Sequence, residues 1–412
     1  MILAAMILGA GVLLQATTPD EPSTRWYRGN THTHTLWSDG DAPPEHAVRW
    51  YADHGYQFLV LSDHNVMQEG ERWFEIGEEG RLTPARVREL VERSPEGWVE
   101  TRELEGARSM RLKDLGELKA AFERPESFLL IPGEEVTDRY RMAEVHINGL
   151  NLAGVIEPQR GDSVAATIQN NLDAIAEHGR RHQRPVLGHL NHPNFRTSLG
   201  VEHLAGLRGE RFFEVYNGHR SVDNEGASAP DSTEAMWDKA LVLRLHEGAG
   251  DGGLLYGLAT DDAHDHYEVD AVSVPGRGWV MVRAERLEAD AIIEAMRRGD
   301  FYASTGVALR SLESDGRTIR LEVDERPGVA YTVEFIGART TDGDRRPVAE
   351  VLQAGSGPRA SYRFTGDELY VRARITSDRA HPRPYAAGDL EQAWTQPVRP
   401  ARDAGDEPDP EG

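Results

Sequence analysis

The segment Asn30-Thr31-His32-Thr33-His34 is followed at once by Ser38-Asp39-Gly40. Residues two apart on an extended strand point to one face, so His32 and His34 can reach a single cation, with Asp39 on the turn behind them. Comparable groups recur along the chain: Asp63-His64-Asn65, Pro132-Gly133-Glu134-Glu135, His146 within Val145-His146-Ile147, His189-Leu190-Asn191-His192-Pro193 and Asp261-Asp262-Ala263-His264. Any one of these histidines could be a solvated or core residue. Taken together, they place imidazoles and carboxylates at the ends of nearly all the short apolar runs. Such groups are costly to bury alone and tolerable around cations. The chain has no cysteine, which excludes disulfides, thiolate metal sites and cysteine nucleophiles. Nitrogen and oxygen donors without sulfur suit Zn, Mn or Fe(II) and do not choose among them.

The elements that must carry these groups alternate in type. Short β-like runs (Phe58 to Leu61, Phe128 to Ile131, Val145 to Leu150, Pro185 to Gly188, Phe212 to Tyr216, Leu254 to Ala259) are interleaved with helical patterns over 44–54, 163–182, 232–246 and 287–298. That alternation predicts a parallel α/β architecture, barrel or open sheet, with ligands gathered at the carboxyl ends of the strands. Residues 66–124 break the pattern and read as a helical insertion on a strand-end loop. Beyond Phe301 the period becomes two, as in Ile319, Leu321 and Val323 and again in Leu369, Val371, Ala373 and Ile375, which predicts a small antiparallel β-sandwich-like domain over 302–398.

A net charge of −23 argues against a stable nucleic-acid complex or adhesion to anionic lipid. The uncharged apolar run Met1 to Leu14 followed by Gln15-Ala16-Thr17 is too short to span a bilayer comfortably. It reads as a signal peptide, with 1–24 as leader and short linker, an exported product and no membrane span in the mature protein. The residues from 399 to 412 are Asp, Glu, Pro and Gly-rich and read as a disordered acidic tail.

Over 25–301 the motifs quoted above resemble the PHP (polymerase and histidinol phosphatase) superfamily, and more closely its exported carbaryl-hydrolase-like branch. The resemblance implies a distorted (β/α)7 barrel and two or three divalent metal ions. It also implies a ligand set: His32, His34, Glu135 and Asp262 around one ion, Asp39, His64 and His264 around a second, and His146 and His192 at a third, with Glu135 bridging the first and third. Glu135 is preferred to Glu134 because the family's glutamate stands two places after the Pro-Gly glycine. Every ligand position that the family leads one to expect is filled.

A site of that kind is locally cationic within an acidic chain, and attracts a small anionic or carbonyl substrate. The expected chemistry is attack by a metal-bound hydroxide, on phosphorus in small phosphomonoesters or nucleotides, or alternatively on the carbonyl of a carbamate, amide or ester. A third reading is a non-catalytic metal- or glycan-binding protein. Asn217, His219 and Arg220 follow a β-like run, and Arg139, Arg141 and Arg196 lie on comparable loops. The arginines and Asn217 are candidate substrate contacts, and His219 a candidate proton donor. Asp63 is expected to orient a ligand histidine or to make a structural hydrogen bond. His189 and His266 are expected not to be ligands.

Overall fold

The computed structural model describes residues 24–341 and 345–401. The expected leader up to residue 23 and the tail from residue 402 lie outside the described residues. Among the described residues, no helix is long and apolar enough to cross a membrane.

In chain order the first part comprises β1 (Arg25–Asn30), α1 (Pro44–Asp53), β2 (Phe58–Leu61), β3 (Arg72–Glu75), α2 (Pro84–Glu92), β4 (Thr101–Leu104), β5 (Ala107–Leu112) and α3 (Leu115–Phe122). Next come β6 (Leu129–Tyr140), β7 (Ala143–Leu150), α4 (Val164–His182), β8 (Leu187–Leu190), α5 (Val201–Ala205), β9 (Phe212–Asn217), α6 (Thr233–Glu247), β10 (Tyr256–Thr260), β11 (Trp279–Ala284) and α7 (Ala289–Arg298). The chain ends with β12 (Phe301–Ser304), β13 (Leu309–Ser314), β14 (Thr318–Val323), β15 (Tyr331–Arg339), β16 (Glu350–Ser356), β17 (Arg359–Arg363), β18 (Glu368–Ala380) and β19 (Leu390–Thr395).

The sequence of β2, Phe58-Leu59-Val60-Leu61, is apolar without a break because both of its faces are covered. Phe58 and Val60 join Tyr27, Ile131, Leu187, Phe212 and Leu258 in one cluster, to which α7 adds Ile292, Ile293 and Met296. Leu59 and Leu61 point the other way, into a cluster with Val48 and Tyr51 of α1 and Leu118 of α3. The four long helices fall where the periodicity places them, and three of those four, α1, α4 and α6, span it almost residue for residue. Thr83, Asp114, Ser163 and Ser232 cap α2, α3, α4 and α6 by accepting from the N–H three residues on.

Three expectations need correction. The strands β1, β2, β6, β7, β8, β9 and β10 are neighbours in one sheet, but they do not close as a barrel. The outer edge of β1 is taken along its length by the antiparallel β11. Only the residues after β1 reach the other end of the row, through the single bridge Thr33–Ala263 and the bond from His34 N–H to Ala263 O (2.9 Å). Nor are all seven strands parallel, since β7 returns from β6 by a two-residue turn and runs antiparallel to β6 and β8. Third, residues 66–124 are not helical throughout. β3 pairs with β5, and β5 with β4, in a three-stranded sheet beside α2 and α3, and within β5 the buried Met110 and Leu112 alternate with Ser109 and Arg111.

The large sheet runs on from β11 and β12 into β19, β18, β15 and β16. The small sheet β13-β14-β17 covers this extension, with Ile319, Leu321 and Val323 packed in one cluster with Val333, Phe335, Val371 and Ile375. Polar ties join the extension to α6. Arg372, fully buried, donates to Asp238 from Nε (2.8 Å) and Nη2 (2.6 Å) and lies 2.8 Å from Glu234 Oε1. Removing one member of a buried pair leaves an uncompensated charge. Arg372→Ala is therefore expected to lower the unfolding free energy by about 3–5 kcal/mol in urea titration. Arg372→Met combined with Asp238→Leu is expected to lose less.

Candidate metal centre

The nine residues expected as ligands come together. Seven of them stand at or just beyond strand ends, Glu135 lies within β6 and His146 within β7. Gly40 makes the first turn possible: a Cβ there would lie 2.6 Å from the backbone carbonyl of His34, so only glycine lets the loop fold back and return Asp39 over the histidines. Asp63 pins the same loop, accepting from Thr35 N–H (2.8 Å), Thr35 Oγ1 (2.9 Å), Ser38 Oγ (2.6 Å) and Gln68 Nε2 (2.7 Å). Asp63 thus acts on the loop that carries Asp39 and not on an imidazole, the structural one of its two expected roles. The β6–β7 register sets His146 opposite Thr137, and a parallel bridge sets His64 beside Glu135.

Glu135 is the centre of the cluster. Its Oε2 lies 3.4 Å from His32 Nε2, 3.3 Å from His34 Nε2 and 3.0 Å from His64 Nδ1. Its Oε1 lies 3.0 Å from His146 Nδ1 and 3.6 Å from His192 Nε2, and accepts from Asn191 Nδ2 at 2.8 Å. Asp262 Oδ1 is 3.1 Å from His32 Nε2 and 3.2 Å from His34 Nε2. Asp39 spans His264 Nε2 (3.3 Å) and His64 Nε2 (3.4 Å).

These contacts suit metal ions. His32 Nε2, His34 Nε2, His146 Nδ1 and Glu135 Oε2 are all buried and make no hydrogen bond. Buried polar atoms are normally paired, and four orphans in one place call for a shared partner. The 3.1–3.4 Å separations of His32 and His34 from Glu135 and from Asp262 match the roughly 3.3 Å between two ligand atoms set at the tetrahedral angle on ~2.0 Å metal–ligand arms. Among the described residues the donors fall into four overlapping groups, His34, Asp39, His64 and His264; His32, His34 and Glu135; His32, His192 and Asp262; and His64, Glu135 and His146, so His192 stands with His32 and not, as expected, with His146.

The electrostatics point the same way. Burial raises Glu135 and Asp262, but the surrounding histidines outweigh it and hold both well below the usual carboxylate range. Burial disfavours charge on His64 and His264, yet the carboxylates push them up to about 11 and about 9. His34 is driven down to about 3 by burial and by its neighbours His264 and His64. Without cations, protons on some imidazoles must balance the acids while others cannot be charged.

Other candidates are placed differently. His219 lines the cavity above the cluster, which has a volume of about 510 Å³. Its Nδ1 accepts from Ser221 N–H (3.1 Å), which fixes the tautomer with hydrogen on Nε2. Arg196 also lines the cavity, 3.5 Å from Glu144. Arg139 and Arg141 are exposed near the tip of the β6–β7 hairpin and do not line the cavity, while Arg220 is committed to Asp270 and to the carbonyls of Pro384 and Tyr385. Asn217 is buried, donating to Glu214 Oε2 (2.8 Å) and Asp262 Oδ2 (3.1 Å), so it holds a ligand and does not meet a substrate. His189 and His266 stand outside the ligand groups, and His266 Nε2 bonds the carbonyl of His34 (2.9 Å).

One functional residue escaped the sequence reading. Glu214, in the middle of β9 and fully buried, accepts from His32 Nδ1 (2.7 Å), the N–H of His192 (2.8 Å), Thr260 Oγ1 (2.8 Å) and Asn217. It fixes the His32 tautomer that offers Nε2 to the cluster. The available signal was a lone carboxylate among Phe212, Phe213, Val215 and Tyr216, an acid where the strand should be apolar.

No family model matches the chain, and no curated protein matches it. Among solved structures it is similar to a two-domain protein from Bacteroides vulgatus described as containing a PHP-like metal-dependent phosphoesterase, at 14% identity and TM-score 0.42 over 95% of this chain and 100% of that one. It is also similar to a protein from Bifidobacterium adolescentis assigned as a metal-dependent phosphoesterase, at 13% identity and TM-score 0.32 over 66% of this chain and 94% of that one. An amidohydrolase from Chromobacterium violaceum, solved with sulfate and without metal, matches at 14% identity and TM-score 0.26 over 58% of this chain and 88% of that one.

Two outcomes are expected. Glu214→Gln keeps the size of the side chain and removes its charge, and should weaken Mn(II) or Zn(II) binding about 10–100-fold in calorimetric titration. Cation uptake should also release protons, because at pH 7 the metal-free His64 and His264 lie below pKa values of about 11 and about 9 and are protonated. Affinity should therefore rise from pH 6 towards pH 9, and the binding heat should change between buffers of different ionisation enthalpy.

Proposed function

We propose that this chain is a metal-dependent hydrolase of the PHP type, acting on small phosphoesters. The observation that carries the reading is the convergence of orphaned, buried imidazole and carboxylate atoms at metal–ligand spacing beneath an open cavity. His32, His34, Glu135 and Asp262, Asp39, His64 and His264, and His146 and His192 would hold the cations. Divalent ions bound there supply Lewis acidity and lower the pKa of water towards neutrality.

The chain's own residues do the rest. Asp39, Glu135 and Asp262 bring negative charge that cations exceed, leaving a surplus to attract an anionic group. His219 faces the cavity with its ring neutral, since burial lowers its pKa, and with Nε2–H available to hydrogen-bond a leaving oxygen. Glu214, Asn191 and Asn217 keep His32, Glu135 and Asp262 in place by hydrogen bonds. The half-buried Phe195 forms one wall beside His192, His146 and His219.

A second reading, hydrolysis of a carbamate, amide or ester, is favoured by one observation: Arg196 is the lone arginine lining the cavity, and it is paired with Glu144. Purified protein should be assayed in parallel on nitrophenyl phosphate, bis-nitrophenyl phosphate and a naphthyl carbamate, with and without chelator. Chelator-sensitive phosphatase activity is expected, and His64→Ala should lower it by several orders of magnitude. No turnover of any of the three by protein that retains its metal would defeat the hydrolase reading.

A further inference from the structure

Apart from the three carboxylates within the ligand groups, the cavity is lined by two more acids, Glu144 and Asp265, and by one arginine, Arg196. Arg196 is 70% exposed at its side chain and lies 3.5 Å from Glu144 Oε1. Asp265 Oδ2 accepts from Ser273 N–H at 2.8 Å. Cations in the cluster would neutralise the inner acids but leave this outer ring with one acid unmatched. The outer ring also has an apolar side. The Phe195 ring stands 5.2 Å from the His192 ring, 6.4 Å from that of His146 and 6.3 Å from that of His219, the proposed donor to the leaving oxygen. Val272, 48% exposed, lines the same cavity.

From this ring we infer that the site selects monoesters of a compact apolar alcohol and discriminates against substrates whose alcohol portion carries further negative charge. The inference rests on the hydrolase reading above and narrows its substrate class. The cluster takes the single phosphoryl group, Phe195 and Val272 take an aromatic-sized alcohol portion, and Glu144 and Asp265 repel a second anion there. In the reaction, water forms the new P–O bond, the bond from phosphorus to the ester oxygen breaks with its electron pair, and the departing alcohol takes up a proton. The products are the alcohol and inorganic phosphate. This composition disfavours nucleoside polyphosphates and oligonucleotides, whose remote phosphates would meet the acidic ring.

The test compares kcat/KM of the Mn(II)-loaded full chain on benzyl phosphate, glycerol phosphate and 4-carboxybenzyl phosphate. All three expel alkoxides of similar basicity, so differences report recognition. Benzyl phosphate should be preferred over the other two by about tenfold or more, the scale of a filled apolar pocket. Phe195→Ala should shrink the benzyl-to-glycerol ratio towards one. Glu144→Gln, with metal content measured alongside, should shrink the benzyl-to-carboxybenzyl ratio. Equal kcat/KM for all three substrates in the unsubstituted chain overturns the inference while the hydrolase reading stands. Ratios unmoved by both variants also overturn it, and so does no turnover of any of the three by chain that retains its metal, whereas the hydrolase reading then falls only if the nitrophenyl and carbamate assays fail as well.

Discussion

One carboxylate, Glu135, lies within 3.6 Å of ring nitrogens from His32, His34, His64, His146 and His192 in a fully buried setting. That arrangement cannot be neutral by hydrogen bonding alone. Five imidazoles cannot all donate to one acid with good geometry, and four of the buried atoms in and around it make no hydrogen bond. Left without cations, the cluster is frustrated: His64 is pulled towards the charged form and His34 towards the neutral one. Cations resolve both demands, since they want neutral imidazoles and ionised acids. The fold therefore gathers buried donors that protons satisfy in part and that bound cations would satisfy together, and strands from opposite ends of the row are needed to assemble them.

The architecture serves that convergence at the cost of regularity. A regular parallel barrel would deliver one loop per strand to the rim. Here β6 overshoots the rim and turns back as β7, so that Glu135, Thr137 and His146 come from a single hairpin and not from two separate crossovers. β11 occupies the edge of β1, so the row stays open and its two ends meet only at residues 33 and 263, the positions flanked by His32, His34, Asp262 and His264. That single contact and the candidate metal centre are thus the same place. Asp262 and His192 adopt positive φ (49° and 24°), a region that Asp and His enter more readily than other non-glycine residues, and both are tied down from β9.

Much of this could be read in the chain. His32-Thr33-His34 and Asp262-Ala263-His264 have period-two spacing, the period of a strand, and each sits just beyond a strand, β1 and β10. The helices were legible through their caps and their 3.6-residue periodicity, as at Ser163 and Ser232. What escaped was long-range. The two-residue turn at 141–142 carries Arg and Met in place of the usual hairpin residues, and nothing local says that β7 reverses. The strands of 66–124 are short and rich in Arg and Glu, a composition that also suits helices, and pairing alone made them β. The arginines at 139, 141 and 220 were read by type, but exposure and prior commitments to Asp270 and to backbone carbonyls decide where an arginine goes. The legible information was periodicity and chemistry, and the hidden information was which edges pair.

Glu214 shows how the two kinds of information combine. β9 is a strand of the row that contributes no ligand, yet its one carboxylate touches the His32 ring next to β1, the backbone of His192 beyond β8 and Thr260 of β10, while Asn217 at its end holds Asp262. A buried acid with four donors is satisfied, so it adds no deficit of its own. Instead it converts the position of β9 between β8 and β10 into the orientation of three ligands that approach from different loops. Replacing it by an apolar residue would suit the strand's own sequence better, since Phe212, Phe213, Val215 and Tyr216 surround it. The local mismatch is intelligible only from the site, where a fixed His32 tautomer and a restrained His192 backbone are what let neighbouring strands share cations at one point.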